Sequence, residues 1–268
     1  EHWIRVSQWR ISPVTSPSAR SAGLTLMASR PKDSTVDTHA TSRLTPVGAD
    51  HWGHHTHFNL AQMFDLPDGP DGETDIEGLA ADGGWLWVVG SHARKRGKPK
   101  REKHGAAKAL KRLRALKRDP NRFFLGRVPL AQEGDGVVAP VDTAGERRAQ
   151  SVPLAKTTSA LQRWLADEPL LEAAFALPAK ENGFDIEGLA VQGERVWLGL
   201  RGPVVNGHAI VVELDMKTDG AGHLKAILYD KTFTLTNGIG RATGEPMVRD
   251  DVYEAAVPRY AEEVEAHS

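Results

Sequence analysis

The chain contains no cysteine. That excludes disulfides, thiolate metal sites and a cysteine nucleophile, and it fits a cytoplasmic location. Long apolar runs are missing too. No stretch approaches the roughly 18 apolar residues of a membrane-spanning helix, so no membrane partner is expected. A secretory leader needs a basic start followed by an apolar core, and "GLTLM" is too short to supply one. Aromatic residues make up only 6% of the chain, and none falls in its most basic stretch, which removes the usual platform for stacking nucleic-acid bases. Residues 1–50 lack any regular apolar period and are rich in Ser, Arg and Thr. They are expected to form a disordered or non-native tail, with Met27 a natural start.

Charge is present in quantity but segregated. Residues 94–122 carry 14 Lys and Arg against Glu102 and Asp119, a net of +12, while the formal charge of the whole chain is −1, leaving −13 elsewhere. A small basic module therefore accompanies an acidic body.

The strongest internal signal is a repeat. "DIEGLAADGGWLWVVG" starts at Asp75 and "DIEGLAVQGERVWLGL" at Asp185, so Asp75 aligns with Asp185 and Trp87 with Trp197 without a gap. Each copy reads as a short strand, a Gly-containing turn and a returning strand, which is a β-hairpin. The two tryptophans are expected to pack in the core. Further strands are expected at 122–130 and 136–142 after the first hairpin, and at 208–216 and 223–230 after the second. Four consecutive short strands per unit is the pattern of a propeller blade. The fold class expected is all-β, with β-propeller-type repeats of four-stranded blades. Because two blades cannot close a ring that typically needs four to eight, the ring is expected to be incomplete. The expected domains are the tail at 1–50, a propeller-like domain at 51–235 with a basic helical insert at 94–122, and a divergent, partly helical tail at 236–268. Residues 202–207 are expected to be a loop.

Helices are expected in two places. Over 105–118 the residues Ala106, Leu110, Leu113 and Leu116 form an apolar stripe opposite Lys and Arg. A second helix follows Thr158 as a cap, burying Leu161, Trp164 and Leu165.

The residues with chemistry cluster around the repeat. Asp75 and Glu77 stand two apart, as do Asp185 and Glu187, so on a regular strand each pair projects from one face. Such a cluster suits Ca²⁺, with Glu77 and Glu187 as candidate metal ligands, a general base, or capture of backbone N–H groups. Gly78 and Gly188 would admit another backbone closely. Downstream of the first hairpin, Ser91, His92 and Arg94 stand where the second has Arg201; Arg suits bidentate capture of carboxylate or phosphate. Asp75, Glu77, His92, Arg94, Asp185, Glu187 and Arg201 are the candidate ligand-binding residues. In the basic insert Lys108, Lys111, Arg112, Arg114, Lys117 and Arg118 are candidates for phosphate contacts, for a solvated surface, or for an acidic protein partner. The tract of His51, His54, His55 and His57 reads as an incidental cluster, and Gly238, Gly240 and Gly244 lack the spacing of a dinucleotide loop.

The segments "ETDIEGLAADGGWLWVVGSHARKRGK", "NRFFLGRVPL" and "GFDIEGLAVQGERVWLGLRGPVVNGHAIVVEL" resemble a bacterial family, Domain of Unknown Function 3616, from about residue 53 to 240. The resemblance implies a β-propeller-like protein, longer at both ends in other members, and no established reaction. More distantly, "D-x-E-G" followed by "LW" looks like the phytase-like esterase and sugar-lactonase propellers. In the lactonases a Glu preceding Gly ligates a divalent cation, and it would match Glu77 or Glu187 here. Three functions stay open: a ligand- or partner-binding module with an acidic channel mouth, a divalent-metal-dependent hydrolase of phosphoesters or lactones, and nucleic-acid association through the insert. Whether the chain is an enzyme is not decided by its residues.

Overall fold

The computed structural model of the chain describes residues 25–28, 40–46, 52–99, 101–132, 138–166, 168–219 and 221–237. Three strands come first, β1 (Thr25–Ala28), β2 (Ala40–Pro46) and β3 (Trp52–Asn59), which form an antiparallel sheet in that order. β1 and β2 fall inside the segment expected to be a tail. His54, His55 and His57 lie on β3; their side chains, like Gly238, Gly240 and Gly244, lie outside the described residues, as does everything after 237 in the expected C-terminal tail.

The first repeat hairpin is β4 (Ile76–Asp82) and β5 (Trp85–Gly90). Asp82 pairs with Trp85, and both intervening residues, Gly83 and Gly84, have positive φ of 56° and 78°. A two-residue turn of this hand matches strand twist, and glycine adopts it without a Cβ clash. The insert follows as β6 (Lys95–Arg96), α1 (Arg101–Arg114) and β7 (Leu116–Lys117), with β6 pairing β7 at the insert's base. The expected helix boundaries thus shift toward the N-terminus. The helix kinks at Gly105, whose φ and ψ are 68° and 169°, and Leu116 lies beyond its end.

The expected strand at 122–130 starts late, because Pro120 opens a 3₁₀ turn over Pro120–Phe123. Its strand is β8 (Leu125–Gln132). The fourth strand is split. β9 (Val138–Pro140) pairs the C-terminal end of β8; a small hairpin of β10 (Thr143–Ala144) and β11 (Arg147–Arg148) intervenes; then β12 (Gln150–Ser151) pairs the N-terminal end. The sheet order is β12-β8-β5-β4.

Two short helices link the units, α2 (Ala160–Trp164) and α3 (Pro169–Glu172). Ser159 caps α2, accepting from Gln162 N at 2.8 Å, in place of the expected Thr158. Leu161 and Leu165 are buried, and Trp164 packs on the core as a partly buried neighbour.

The second unit is a regular four-stranded antiparallel sheet in chain order: β13 (Asp185–Gln192), β14 (Arg195–Val205), β15 (His208–Thr218) and β16 (Leu224–Asn237). Here the expected loop at 202–207 contracts to two residues. Val205 pairs with His208 across Asn206–Gly207, whose φ values of 49° and 82° make the tight turn that Asn-Gly favours.

Burial follows the strand period. In the second sheet Leu189 and Val191, then Val196, Leu198 and Leu200, then Ile210, Val212, Leu214 and Met216 face one core, which also holds Leu161 and Leu165 of the linker. Ala80, Trp87, Val89 and Leu125 of the first sheet enter the same core, whereas Leu79, Leu86, Val88 and Val128 face a second one with Leu60, Leu66 and Phe124. The first sheet is thus covered on both faces. Trp87 and Trp197 are both buried, as expected.

Candidate functional site

The two repeat hairpins touch along their first strands. A Cβ on Gly78 would lie 2.6 Å from Leu189 Cβ, inside contact distance, so β4 reaches β13 only because residue 78 has no side chain. Gly188 is different: its nearest neighbour is Gly199 of its own hairpin, at 3.4 Å. At the hairpin tips Gly193 N donates to Asp82 Oδ2 at 2.7 Å, a second tie between the copies.

The carboxylates do not alternate as a regular strand requires. β4 and β13 both carry a bulge at the repeat's Glu, the register jumping between Ile76 and Gly78 and between Ile186 and Gly188, and β13 shifts once more between Asp185 and Ile186. A bulge adds an unpaired residue and rotates the side chains on either side of it. Asp185 is buried and Glu187 exposed, yet both carboxylates meet the Arg201 guanidinium, so the pair still converges on one side. Asp75 stands just before β4 with φ 51°, a conformation uncommon for a residue with a side chain.

Each repeat aspartate meets an arginine, but the arginine comes from a different place in each copy. Asp185 pairs with Arg201, which also reaches Glu187. Arg201 is the sixteenth residue after Asp185; the sixteenth after Asp75 is Ser91, which carries no charge. Arg122 fills the gap from beyond the insert. Its Nη1 lies 2.7 Å from Asp75 Oδ2 and 3.4 Å from Ser91 Oγ, its Nη2 lies 2.9 Å from Glu73, and its Nε lies 3.3 Å from Asp119. Lys95 closes the network against Glu73 and Asp119. Burial raises the Glu73 carboxyl, but the hydrogen bond from Lys95 and the charges of Arg122 and Lys95 prevail and hold it at about 2. Glu73, Lys95, Asp119 and Arg122 were not singled out by motif. The Ser91–Arg201 mismatch in the aligned copies was the available signal.

Asp185 goes the other way. Burial is the main cause, with the negative charges of Glu187 and Asp75 adding to it against Arg201, and the carboxyl rises to about 6. Among the ion pairs of the described residues, five carboxylates (Glu73, Asp75, Asp119, Asp185, Glu187) share three cations (Lys95, Arg122, Arg201), so acidic groups outnumber basic ones there.

His92 is enclosed in the protein rather than presented at a rim. It is fully buried with φ 54°, and burial lowers its imidazole to about 4 against the opposing hydrogen bond to Gly90. Because a carbonyl only accepts, Nδ1 carries the proton and donates to Gly90 O at 3.0 Å, leaving Nε2 as a buried lone pair without a partner. Its backbone joins the copies: His92 N donates to Arg122 O at 3.0 Å, and the adjacent Ser91 accepts from Ile186 N at 2.9 Å. Arg94 is half-buried and tied to the linker, its carbonyl accepting from Ala179 N at 3.0 Å.

In the insert, Lys108, Lys111, Arg114 and Lys117 are exposed, while Arg112 donates to Lys98 O and Arg118 to Thr157 O. A cavity of 410 Å³ lined by Ala61, Met63, Phe64, Asp65, Leu66 and Pro70 shares no residue with the acidic junction. Among the described residues no group of three or more His, Asp or Glu is arranged to hold a metal ion, and no helix is long and apolar enough to cross a membrane.

Fold and site together define a protein of antiparallel sheets whose two matching hairpins meet at a charged, partly buried junction. The sequence model of the family described as "Protein of unknown function (DUF3616)" matches residues 33–240, and the chain belongs to that family. No curated protein and no solved structure matches it, so the more distant likeness to propeller hydrolases has no counterpart among these matches.

Proposed function

We propose that the chain is a ligand- or partner-binding module on a propeller-type scaffold, and that the acidic junction between the repeats selects a cationic group. The observation that carries this reading is the placing of Asp185: its carboxylate is buried, and the Arg201 guanidinium that reaches it is shared with Glu187, while burial and the neighbouring carboxylates raise it to about 6. A cation brought to this place relieves repulsion already built into the fold and displaces the Asp185 proton. Non-glycine residues with positive φ at Asp75 and His92 flank the junction, and such strained backbone clusters at functional sites. The propeller reading is supported by two successive antiparallel sheets, one of five strands and one of four, whose first strands pack together. Glu187, with Glu77 at the matching bulge, is the side chain through which a divalent cation such as Ca²⁺ or a partner's ammonium would be held.

Calorimetric titration of the full chain with Ca²⁺, Mg²⁺ and a short diamine tests the reading. Binding of one of these cations at pH 7 is expected, accompanied by proton uptake into the buffer and weakened at pH 5. Glu187→Gln should weaken it by roughly tenfold, the scale of one lost charged contact. Absence of heat with all three cations would sink the proposal.

A further inference from the structure

The basic insert holds a feature that the junction does not explain. Of the leucines along its arm, Leu110, Leu113 and Leu116 are 47%, 41% and 46% exposed, while only Ala109 of the described α1 side chains is buried. Leu110 and Leu113 are one helical turn apart and share a face. Lys108, Lys111, Arg114 and Lys117 stand among them, exposed and in no ion pair among the described residues. The base, by contrast, is fixed. Arg96 pairs with Glu181 and donates to Leu113 O at 3.0 Å, Lys95 pairs with Glu73 and Asp119, and β6 pairs with β7. A short amphipathic helix is therefore held out from the body with its apolar stripe in water.

We infer that this arm is a docking surface for an anionic lipid membrane, with Leu110, Leu113 and Leu116 entering the headgroup boundary. Charge complementarity names the occupant. Leaving out Lys95, Arg96 and Arg122, which are paired at the base, residues 98–118 carry 10 Lys and Arg against Glu102, a net of +9 on a chain whose remainder is −10. An anionic surface therefore attracts the arm and repels the body, which fixes orientation. The leucines separate a lipid from a nucleic acid, because phosphate contacts use the lysines and leave an exposed apolar stripe unsatisfied. The absence of a spanning helix does not bear on this, since a helix lying at the interface crosses nothing.

Flotation of the full chain with vesicles tests it, using phosphatidylcholine alone and phosphatidylcholine with about a third phosphatidylserine, at about 0.1 M salt. Binding is expected only to the anionic vesicles. The pair Leu110→Ser and Leu113→Ser keeps every charge and alters only exposed positions, and it should lose binding by at least ~10-fold. Leu113→Trp should show blue-shifted emission on those vesicles. Failure to float with either vesicle, or flotation untouched by the serine pair, overturns the inference. Tight binding to a short DNA duplex that the serine pair leaves intact, without vesicle binding, assigns the arm to nucleic acid instead.

Discussion

Gly78 and Gly188 occupy the same place in the repeat but answer to different neighbours. Gly78→Ala places a methyl group against Leu189 and Val89 Cγ1, at 2.6 and 2.8 Å, and is expected to destabilise by about 1–3 kcal/mol through overpacking. Gly188→Ala meets only ordinary contact at 3.4 Å and should cost under about 1 kcal/mol, so chemical denaturation of the two variants should rank them in that order. At Asp185 the expected signature is in pH. Its folded pKa of about 6 lies above the ordinary 3.8, so its contribution to stability is full below pH 3.8 and is lost as pH rises through 6. Asp185→Asn should therefore gain on the wild type between pH 4 and pH 7, by up to about 3 kcal/mol. Equal differences at the two pH values would contradict the burial argument.

Among the elements, the segment leading into β8 bears the most consequence, because Arg122 supplies from beyond the insert what Arg201 supplies from within its own hairpin. Arg122→Ala leaves Glu73, Asp75 and Asp119 without their shared partner and should cost about 3–5 kcal/mol in urea unfolding. Adding Ser91→Arg places a guanidinium at the position equivalent to Arg201 and should restore part of that loss; no restoration would mean that the two copies are not equivalent here. The hairpins themselves were legible, since Gly-containing turns and alternating apolar residues state their own geometry. The bulges at Glu77 and Glu187 were not, because a bulge is a property of pairing between strands rather than of one strand's period. The Asp–Arg pairs were half legible: Arg201 follows its aspartate in the same hairpin, whereas Arg122 reaches Asp75 only through a fold that brings residues 47 positions apart together. The exposure of the leucines on α1 was hidden too, since an apolar stripe in sequence reads as one that is buried.

For the whole molecule, opposed titrations shape acid stability. His92, lowered from 6.5 to about 4 by burial, contributes stability that is present above pH 6.5 and lost as pH falls through 4. Asp185 runs the opposite way over nearly the same interval, and Glu73, held at about 2, contributes stability lost only below its ordinary 4.5. Wild-type stability should accordingly change little between pH 6 and 4 and fall below it, whereas Asp185→Asn should fall steadily from pH 6.5, as thermal melts across that range would show. The central claim is that the junction of the two repeats is short of positive charge and so selects a cation. The most direct measurement is a carboxyl-carbon NMR titration of Asp185, with and without saturating Ca²⁺ or diamine. A midpoint near 6 in the free chain that moves down when the cation is added is the result expected. A midpoint at or below 3.8 in the free chain, or one that no cation moves, would contradict the account.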